Sequence, residues 1–187
     1  MGRLILASSS PRRRELLERL GVEFTVAPAD IDETPLNGET PEAYVARVAA
    51  GKAEAIAARH PDALVLGADT TVVLDETILG KAADAAEATR MIESLAGRSH
   101  RVLTGTCLLI PDGTSVRRIA ETTVIFRPLD AAEIARYVAS GEWEGKAGAY
   151  GAQGIAAAYI TSIHGSYSNV IGLPLAEIAA DLRRVMR

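Results

Sequence analysis

The segment 63–68 is a continuous run of apolar residues and glycine, Ala-Leu-Val-Leu-Gly-Ala. A run of this kind is typical of a strand that is covered on both faces, because a strand with one exposed face alternates apolar and polar residues. The chain is therefore expected to place helices on both sides of a sheet. Asp69, Thr70 and Thr71 follow the run directly, so we expect them at the carboxyl end of the strand.

Start signals for helices recur along the chain. Ser10 is a good N-cap and Pro11 suits the first helical position, while Asp84 and Asp130 each precede a glutamate by three residues, the spacing of a capping box. Other predicted elements are a strand at 22–26, a helix from Thr40 to about Arg59, a hairpin about 75–76, strands at 101–110 and 116–126, a β-rich run at 155–163 and a helix from about Pro174. The irregular alternation favours one α/β domain, residues 1–187, with a mixed, twisted central sheet flanked by helices.

Composition and charge exclude several classes of protein. The chain has 187 residues, 48% of them hydrophobic, and its 20 Lys and Arg against 24 Asp and Glu give a formal net charge of -4. A broad basic face for nucleic acid is therefore disfavoured, and a local basic cluster suggests a small anionic ligand. Cys107 is the single cysteine, which excludes an intrachain disulfide and a multi-cysteine zinc site. No segment is long and apolar enough to predict a signal peptide or a membrane span, so we expect a cytoplasmic protein without membrane contact.

The first strand-to-helix connection has the composition of an anion site. Ser8 and Ser10 precede a helix that opens with Arg12, Arg13 and Arg14. Cations at a helix N-terminus oppose the helix dipole, each at a cost of about 0.3–1 kcal/mol, so stability alone does not explain them. Hydroxyls, free N–H groups and guanidinium groups at one place suit a phosphate. The alternative is that the arginines extend into solvent or pair with the acidic loop downstream.

Carboxylates at two places suit metal-phosphate chemistry. Asp69 has the small neighbours Gly67 and Ala68, which would admit a ligand, and an acidic loop carries Asp30, Asp32 and Glu33. Mg²⁺ sites commonly use one or two carboxylates together with waters and substrate phosphates. Considered separately, Asp69 is also typical of a turn, and the loop is also typical of a solvated acidic segment.

Two lysines and a glycine-rich segment complete the candidates. Lys52 and Lys81 can each face phosphate oxygens, although a solvated surface is the default for a single lysine. Glycine at every third position from 145 to 154 suggests backbone close to a ligand, with the Gln153 amide able to read a base edge, or else a mobile loop. No P-loop motif is present, which disfavours a P-loop kinase or ATPase. The three histidines lack zinc spacing and are expected to be structural or exposed.

Taken in order, these blocks resemble the Maf family of nucleoside triphosphate pyrophosphatases. The match runs from end to end and is carried by Ser8-Ser9-Ser10-Pro11-Arg12-Arg13, Asp32-Glu33, Ala68-Asp69-Thr70, Gly80-Lys81, Gly97-Arg98-Ser99-His100, and the segments 146–154 and 165–174. The resemblance implies an ITPase-like fold with an active-site cleft between two lobes. It also implies hydrolysis of a nucleoside triphosphate between the α and β phosphates, with a divalent metal (Mg²⁺ or Mn²⁺), and a homodimer.

The resemblance assigns roles residue by residue. Asp69 matches the catalytic carboxylate, Glu33 matches a metal-binding or water-positioning acid, and Lys52 and Lys81 match phosphate-facing lysines; Glu33 and Asp69 are the implied metal ligands. Arg12, Thr70 and Gln153 match positions linked to base selection. Their identities are similar to the branch that acts on dTTP and UTP rather than the branch that prefers 7-methyl-GTP.

The sequence departs from the family pattern at two positions, and it is compatible with two other functions. Ala82 stands where many members have proline, and Ala152 replaces a common isoleucine, which can tune affinity without changing the reaction class. One rival is a nucleotide-binding regulator of septum formation that does not turn the nucleotide over. The other is nucleic-acid binding through residues 12–14, which the acidic balance disfavours and which predicts steeply salt-dependent affinity for DNA.

Overall fold

A seven-stranded mixed sheet forms the framework of the computed structural model, which describes residues 3–186. The strands are β1 (Leu4–Leu6), β2 (Phe24–Val26), β3 (Leu64–Leu74), β4 (Thr77–Leu79), β5 (Ser99–Leu109), β6 (Ser115–Phe126) and β7 (Ile160–His164). The helices are α1 (Pro11–Glu18), α2 (Pro41–Ala57), α3 (Ala85–Leu95), α4 (Ala131–Ala139), α5 (Tyr167–Ile171) and α6 (Leu175–Val185).

The sheet has the strand order β2-β1-β3-β5-β6-β7, and β4 pairs with β3 outside this path. Strand β1 lies parallel to β2 and β3, whereas β4 runs antiparallel to β3 and β7 runs antiparallel to β6. This mixture of directions confirms the predicted α/β class with a mixed central sheet flanked by helices.

The described residues form two compact units. Unit 1 contains the residues up to 70, residues 104–120 and the residues from 172 onward, and unit 2 contains residues 71–103 and 121–171. Strands β3, β5 and β6 contribute residues to both units. In unit 1, small and branched apolar side chains of β1, α2 and β3 form a core that includes Cys107, whereas the core of unit 2 is built around Phe126, Tyr137, Tyr150 and Tyr159.

Helix α2 packs unusually closely on the sheet within unit 1. A Cβ atom added to Gly67 of β3 would lie 2.2 Å from the Ala49 carbonyl oxygen, and one added to Gly105 of β5 would lie 2.3 Å from the Val45 carbonyl oxygen. Only glycine permits this approach of backbone to backbone. The expectation that the small residue Gly67 admits a ligand is therefore wrong, because the space beside it is filled by α2.

The predicted end of the central strand is also wrong. Strand β3 continues through Asp69 to Leu74, so Asp69 lies inside the strand rather than at its carboxyl end. The reason is local, because Thr70, Thr71 and the two valines after them are β-branched and favour extended backbone. The strand ends in the predicted hairpin, whose turn residues Asp75 and Glu76 have φ angles of 47° and 64°, both in the left-handed region.

Two segments near the carboxyl end differ from the predictions. Within the β-rich run, residues Ile155–Tyr159 form a 3-10 helix and the strand begins only at Ile160, because three consecutive alanines do not favour a strand. The polar segment 164–169 was predicted as a loop and contains the start of α5, where the Ser166 hydroxyl accepts a hydrogen bond from the Asn169 N–H at 3.3 Å.

The predicted helix starts are confirmed. The side chains of Ser10, Thr40 and Asp84 accept hydrogen bonds from the first turns of α1, α2 and α3. Asp130 and Glu133 form a complete capping box at α4. Over residues 3–186, every helix is too short or too polar to cross a membrane.

Candidate active site

The first turn of α1 buries one of its three arginines. Arg13 has an exposed fraction of only 8%, and its guanidinium donates to the Gly172 carbonyl at 2.9 Å, to Ser8 Oγ at 3.2 Å and to Thr70 Oγ1 at 3.0 Å. Thr70 Oγ1 in turn lies 2.9 Å from Thr104 Oγ1. Arg13 therefore connects the turn after β1 to β3, β5 and the segment before α6, all within unit 1.

The hydroxyls of this turn act as hydrogen-bond acceptors. Ser8 Oγ accepts from the Ser10 N–H at 3.2 Å as well as from Arg13, and Ser10 Oγ accepts from the Arg13 N–H at 3.4 Å. A serine oxygen that accepts in this way still carries its own proton, which can be donated to a phosphate oxygen.

The other two arginines have different surroundings. Arg14 is exposed and pairs with Glu18, one helical turn away, at 2.9 Å, so the alternative of a solvated arginine describes Arg14. Arg12 is half-buried, and burial lowers the pKa of its guanidinium more than the nearby Glu15 raises it. The sequence pattern gave no means of ranking the three arginines by burial.

Lys52 brings together carboxylates from distant parts of unit 1. Its Nζ lies 2.9 Å from Asp69 Oδ1 and 2.9 Å from Glu33 Oε1. The Lys52 and Asp69 side chains are 8% and 9% exposed, whereas Glu33 is 37% exposed. The close packing of α2 on Gly67 accounts for the first contact, because Asp69 lies two residues further along the same face of β3.

Arg13 shares the electrostatic environment of this cluster. Burial lowers the pKa of the Arg13 guanidinium, while the negative charges of Asp69 and Glu33 raise it. Two cations and two carboxylates of unit 1 are thus close enough to influence one another. A cluster of this composition can bind a ligand that carries both negative charge and a metal ion.

Only one residue of the acidic loop joins the cluster. Asp30 and Asp32 are exposed, and Asp32 Oδ1 accepts the Thr34 N–H at 2.8 Å in a local turn, which lowers the pKa of its carboxyl group. The alternative of a solvated segment therefore describes these two aspartates, while Glu33 contacts Lys52.

Tyr44 of α2, which no sequence motif indicated, lies near the carboxylates of the cluster. Burial raises the pKa of its hydroxyl to about 12, with further contributions from the negative charges of Asp69 and Glu33, so the phenol stays protonated beside the carboxylates. The available signal was the spacing on α2, since residues 44, 48 and 52 lie on one helical face.

Lys81 and Gln153 lie in unit 2, and both are exposed. Lys81 forms a β-bridge with Ala147, and the Gly148 N–H donates to the Leu79 carbonyl at 2.9 Å. Gly148 has a φ of 63°, and a Cβ there would lie 2.8 Å from Val72. The start of the glycine-rich segment is therefore packed on the β3–β4 hairpin within unit 2. The roles of Lys81 and Gln153 stay predictions.

The remaining candidates are structural. His100 is buried, its Nε2 lies 2.8 Å from the Tyr150 hydroxyl, and burial lowers the pKa of the ring to about 4. Cys107 is buried in the core, and burial raises the pKa of its thiol. Ala82 and Ala152, the two departures from the family pattern, are both buried in the core of unit 2.

The carboxylate pair of the cluster is the candidate for binding a metal ion. Over residues 3–186, no three His, Cys, Asp or Glu side chains converge in a way that would hold a metal ion. Glu33 and Asp69 nevertheless approach a common cation, the Lys52 ammonium, and carboxylate oxygens are the donors that Mg²⁺ prefers. The donor set therefore fits a metal that takes its other ligands from water and from substrate.

Comparisons of sequence match nearly the whole chain. Residues 3–185 match the family model described as Maf-like protein. A dTTP/UTP pyrophosphatase of Paramagnetospirillum magneticum is 52% identical over 96% of this chain and 95% of that protein. One of Symbiobacterium thermophilum is 53% identical over 94% of this chain and 90% of that protein. A solved structure of a HAM1 protein from Coxiella burnetii aligns with a TM-score of 0.47 at 20% identity, over 67% of this chain and 73% of that chain.

Proposed function

This chain belongs to the family of Maf-like proteins, and from that premise we propose that it hydrolyses dTTP and UTP to the nucleoside monophosphate and pyrophosphate. The relatives that are about half identical over nearly their full length carry the name dTTP/UTP pyrophosphatase. The observation that carries the proposal is the convergence of Glu33 and Asp69 on the Lys52 ammonium at 2.9 Å each.

Asp69 is the proposed base that aligns and deprotonates the attacking water. Its position inside β3 holds the backbone rigidly, and its Oδ1 atom is fixed by Lys52. A positioned carboxylate contributes typically 10²–10⁴-fold to the rate of such a proton transfer. Asp69 is 6% exposed, so few water molecules can contact its carboxylate besides the one that attacks.

Cationic side chains are proposed to stabilise the charge that develops on the phosphate oxygens. Lys52 and Arg13 are both buried, so their charges are screened by solvent less than those of surface residues. Arg13 uses Nε, Nη1 and Nη2 for contacts within the protein, which fixes the plane of the guanidinium. Ser8 and Ser10 are proposed to donate their hydroxyl protons to phosphate.

A divalent metal, Mg²⁺ or Mn²⁺, is proposed as the cofactor, with Glu33 and Asp69 as its protein ligands. When bound, such an ion neutralises phosphate charge and lowers the pKa of a coordinated water. Lys52 contacts both carboxylates, so it is placed to keep them in position while the cofactor is absent.

Recognition of the base is proposed to depend on Arg12, Thr70 and Gln153, and Lys81 is proposed to face phosphate. These assignments come from the matching family motif. On the same grounds we propose a homodimer, and the sequence pattern is the basis on which we propose a cytoplasmic location.

The direct test is a substrate panel with product analysis. The purified protein is incubated with Mg²⁺ and dTTP, UTP, CTP, 5-methyl-UTP, pseudo-UTP or 7-methyl-GTP, and the products are separated. We expect dTTP and UTP to give monophosphate and pyrophosphate in equal amounts. Release of orthophosphate and a diphosphate, or binding of dTTP without release of pyrophosphate, would contradict the proposal.

A further inference from the structure

The segment between β2 and α2, residues 27–40, carries Glu33 but contains no helix or strand. Its first residue still bonds to the sheet, since the Ala27 N–H donates to the Leu6 carbonyl at 3.1 Å, but the backbone around Glu33 is not part of the sheet. The Lys52 ammonium binds the Glu33 carboxylate, yet a single contact at the end of a flexible side chain does not fix the backbone that bears it.

Apolar contacts hold the part before Glu33, because Ala27 and Ala29 pack against the core of unit 1 and a Cβ added to Gly51 of α2 would lie 3.2 Å from Ile31 Cδ1. The part after Glu33 needs other contacts.

Arg47 supplies these contacts from α2, the helix that also carries Lys52. Its Nε lies 2.6 Å from Glu39 Oε1, and its Nη2 lies 2.7 Å from Glu39 Oε2. The same Nη2 donates to the carbonyl of Thr34, the residue after Glu33, at 3.1 Å. One guanidinium thus holds both the end of the segment and the backbone beside the functional carboxylate.

Glu39 extends the clamp to a further point of the segment. Its Oε2 accepts the Leu36 N–H at 3.0 Å, and its side chain is only 8% exposed. The bidentate pair with Arg47 lowers the pKa of the Glu39 carboxyl group to about 2, so the carboxylate is ionised at neutral pH. On its other side, the Arg47 guanidinium lies 5.7 Å from the centre of the Tyr44 ring.

On the premise of the proposed function, we propose that Arg47 is a positioning residue, which places the Glu33 carboxylate against Lys52 and Asp69 by clamping residues 34–39 to α2. Arg47 acts through Glu33 and does not itself meet the reacting atoms. Replacement of Arg47 should therefore raise the metal concentration that gives half-maximal rate. The rate at saturating metal should stay nearly unchanged.

The test compares Arg47→Met with Arg118→Met. Arg118 forms a matched bidentate pair with the buried Asp181, at 2.6 Å for each contact, between β6 and α6 of unit 1. Both changes remove a bidentate arginine, so both should lower the melting temperature. Only Arg47→Met should raise the Mg²⁺ concentration for half-maximal rate, by about tenfold, with kcat within about threefold of the wild-type value.

A second readout is independent of turnover. Binding of Mn²⁺ to the nucleotide-free protein, followed by electron paramagnetic resonance, should weaken by a similar factor in Arg47→Met and stay within twofold of wild type in Arg118→Met. Arg47→Lys keeps a charge but cannot hold both Glu39 oxygens and the Thr34 carbonyl at once, so we expect an intermediate shift of about threefold. This variant keeps the test decisive if Arg47→Met does not fold.

The double variant Glu33→Gln/Arg47→Met shows whether Arg47 acts through Glu33. If it does, adding Arg47→Met to Glu33→Gln changes Mn²⁺ binding by less than twofold. Independent, multiplicative losses would overturn the inference, as would equal metal dependence in Arg47→Met and Arg118→Met. A wild-type protein that binds Mn²⁺ through this pair but cleaves neither dTTP nor UTP would instead contradict the proposed function.

Discussion

The two units bury polar side chains of different kinds. Among residues 3–186, the buried Arg, Lys and Asp residues are Arg13, Lys52, Asp69 and Asp181, all in unit 1, and the Glu39 side chain of the same unit is 8% exposed. The buried polar side chains of unit 2 are neutral and include His100 and Asn169. The Asn169 amide donates to the Val102 carbonyl at 3.1 Å and to Thr122 Oγ1 at 3.0 Å. These hydrogen bonds hold segments of unit 2 together without burying a charge.

This contrast distinguishes buried polar groups that stabilise packing from buried charges that serve a function. Burying an ion costs several kcal/mol even after relaxation, and apolar residues of similar volume often give equal or better stability. A neutral hydrogen-bonded group costs far less. Burying the charges of Arg13, Lys52 and Asp69 is therefore an unfavourable way to stabilise unit 1. The desolvation free energy is explained if the charges act on a substrate. Four variants test this comparison.

The largest effect is expected for Asp69→Asn. This change keeps the shape of the side chain but removes the charge that aligns water, so kcat for dTTP should fall by about 10³-fold while dTTP binding changes little. Asp181→Asn is the matched control, since Asp181 is also buried and ion-paired, and it should lower stability with kcat within threefold. Turnover of dTTP by Asp69→Asn at the wild-type rate would remove Asp69 from the mechanism.

Lys52→Met tests the cost of an unpaired charge in unit 1. Without the ammonium, the Asp69 carboxylate stays buried and unpaired, so the free energy of unfolding should fall by about 3 kcal/mol, measured by urea denaturation. The Glu33 contact adds little, because that side chain is partly exposed. Lys81→Met, at an exposed position, should change stability by less than about 0.5 kcal/mol. Equal effects of the two changes would mean that the buried pair does not contribute.

His100→Gln tests the neutral polarity of unit 2. The folded-state pKa of about 4 lies below the ordinary value of 6.5, so the unfolded chain binds the proton more readily. The stability that depends on a neutral ring is thus complete above about pH 6.5 and is lost as pH falls towards 4. Between about pH 7.5 and 5, the wild-type protein should lose about 2 kcal/mol more than His100→Gln. Parallel pH profiles of unfolding would show that the ring takes up a proton as readily in the folded state as in the unfolded state.

Arg14→Gln should have the smallest effect. The Arg14–Glu18 pair is exposed and one helical turn apart, so its loss should change the free energy of unfolding by less than about 0.5 kcal/mol. Arg13→Gln, one residue away, should cost several times more because it removes buried hydrogen bonds of the guanidinium to the Gly172 carbonyl, Ser8 and Thr70. Similar melting temperatures for the two variants would contradict the structural distinction between neighbouring arginines.

Local signals identified most of the elements and the candidate residues. Ser10 and Asp130 were recognisable as caps because capping depends on residues within one turn of helix. The end of β3 was misplaced because its local signals conflict: the carboxylate and two hydroxyls at 69–71 are typical of a turn, while the β-branched residues from Thr70 to Val73 favour a strand, and pairing with β4 accompanies the strand. The 3-10 helix before β7 was missed because the β-branched residues of the run predicted a strand throughout, although its three consecutive alanines do not favour one.

The sequence by itself determined the alternation of strands and helices, the helix caps and the family, because these depend on the order of neighbouring residues and on motifs. Only the tertiary structure decided that Lys52 joins Glu33 to Asp69, that Arg13 is buried while Arg14 is solvated, and that Arg47 clamps the segment that bears Glu33. The reason is physical. The charge and burial of a side chain depend on groups far away in the chain, and their distances are set by packing such as that of α2 on Gly67 and Gly105.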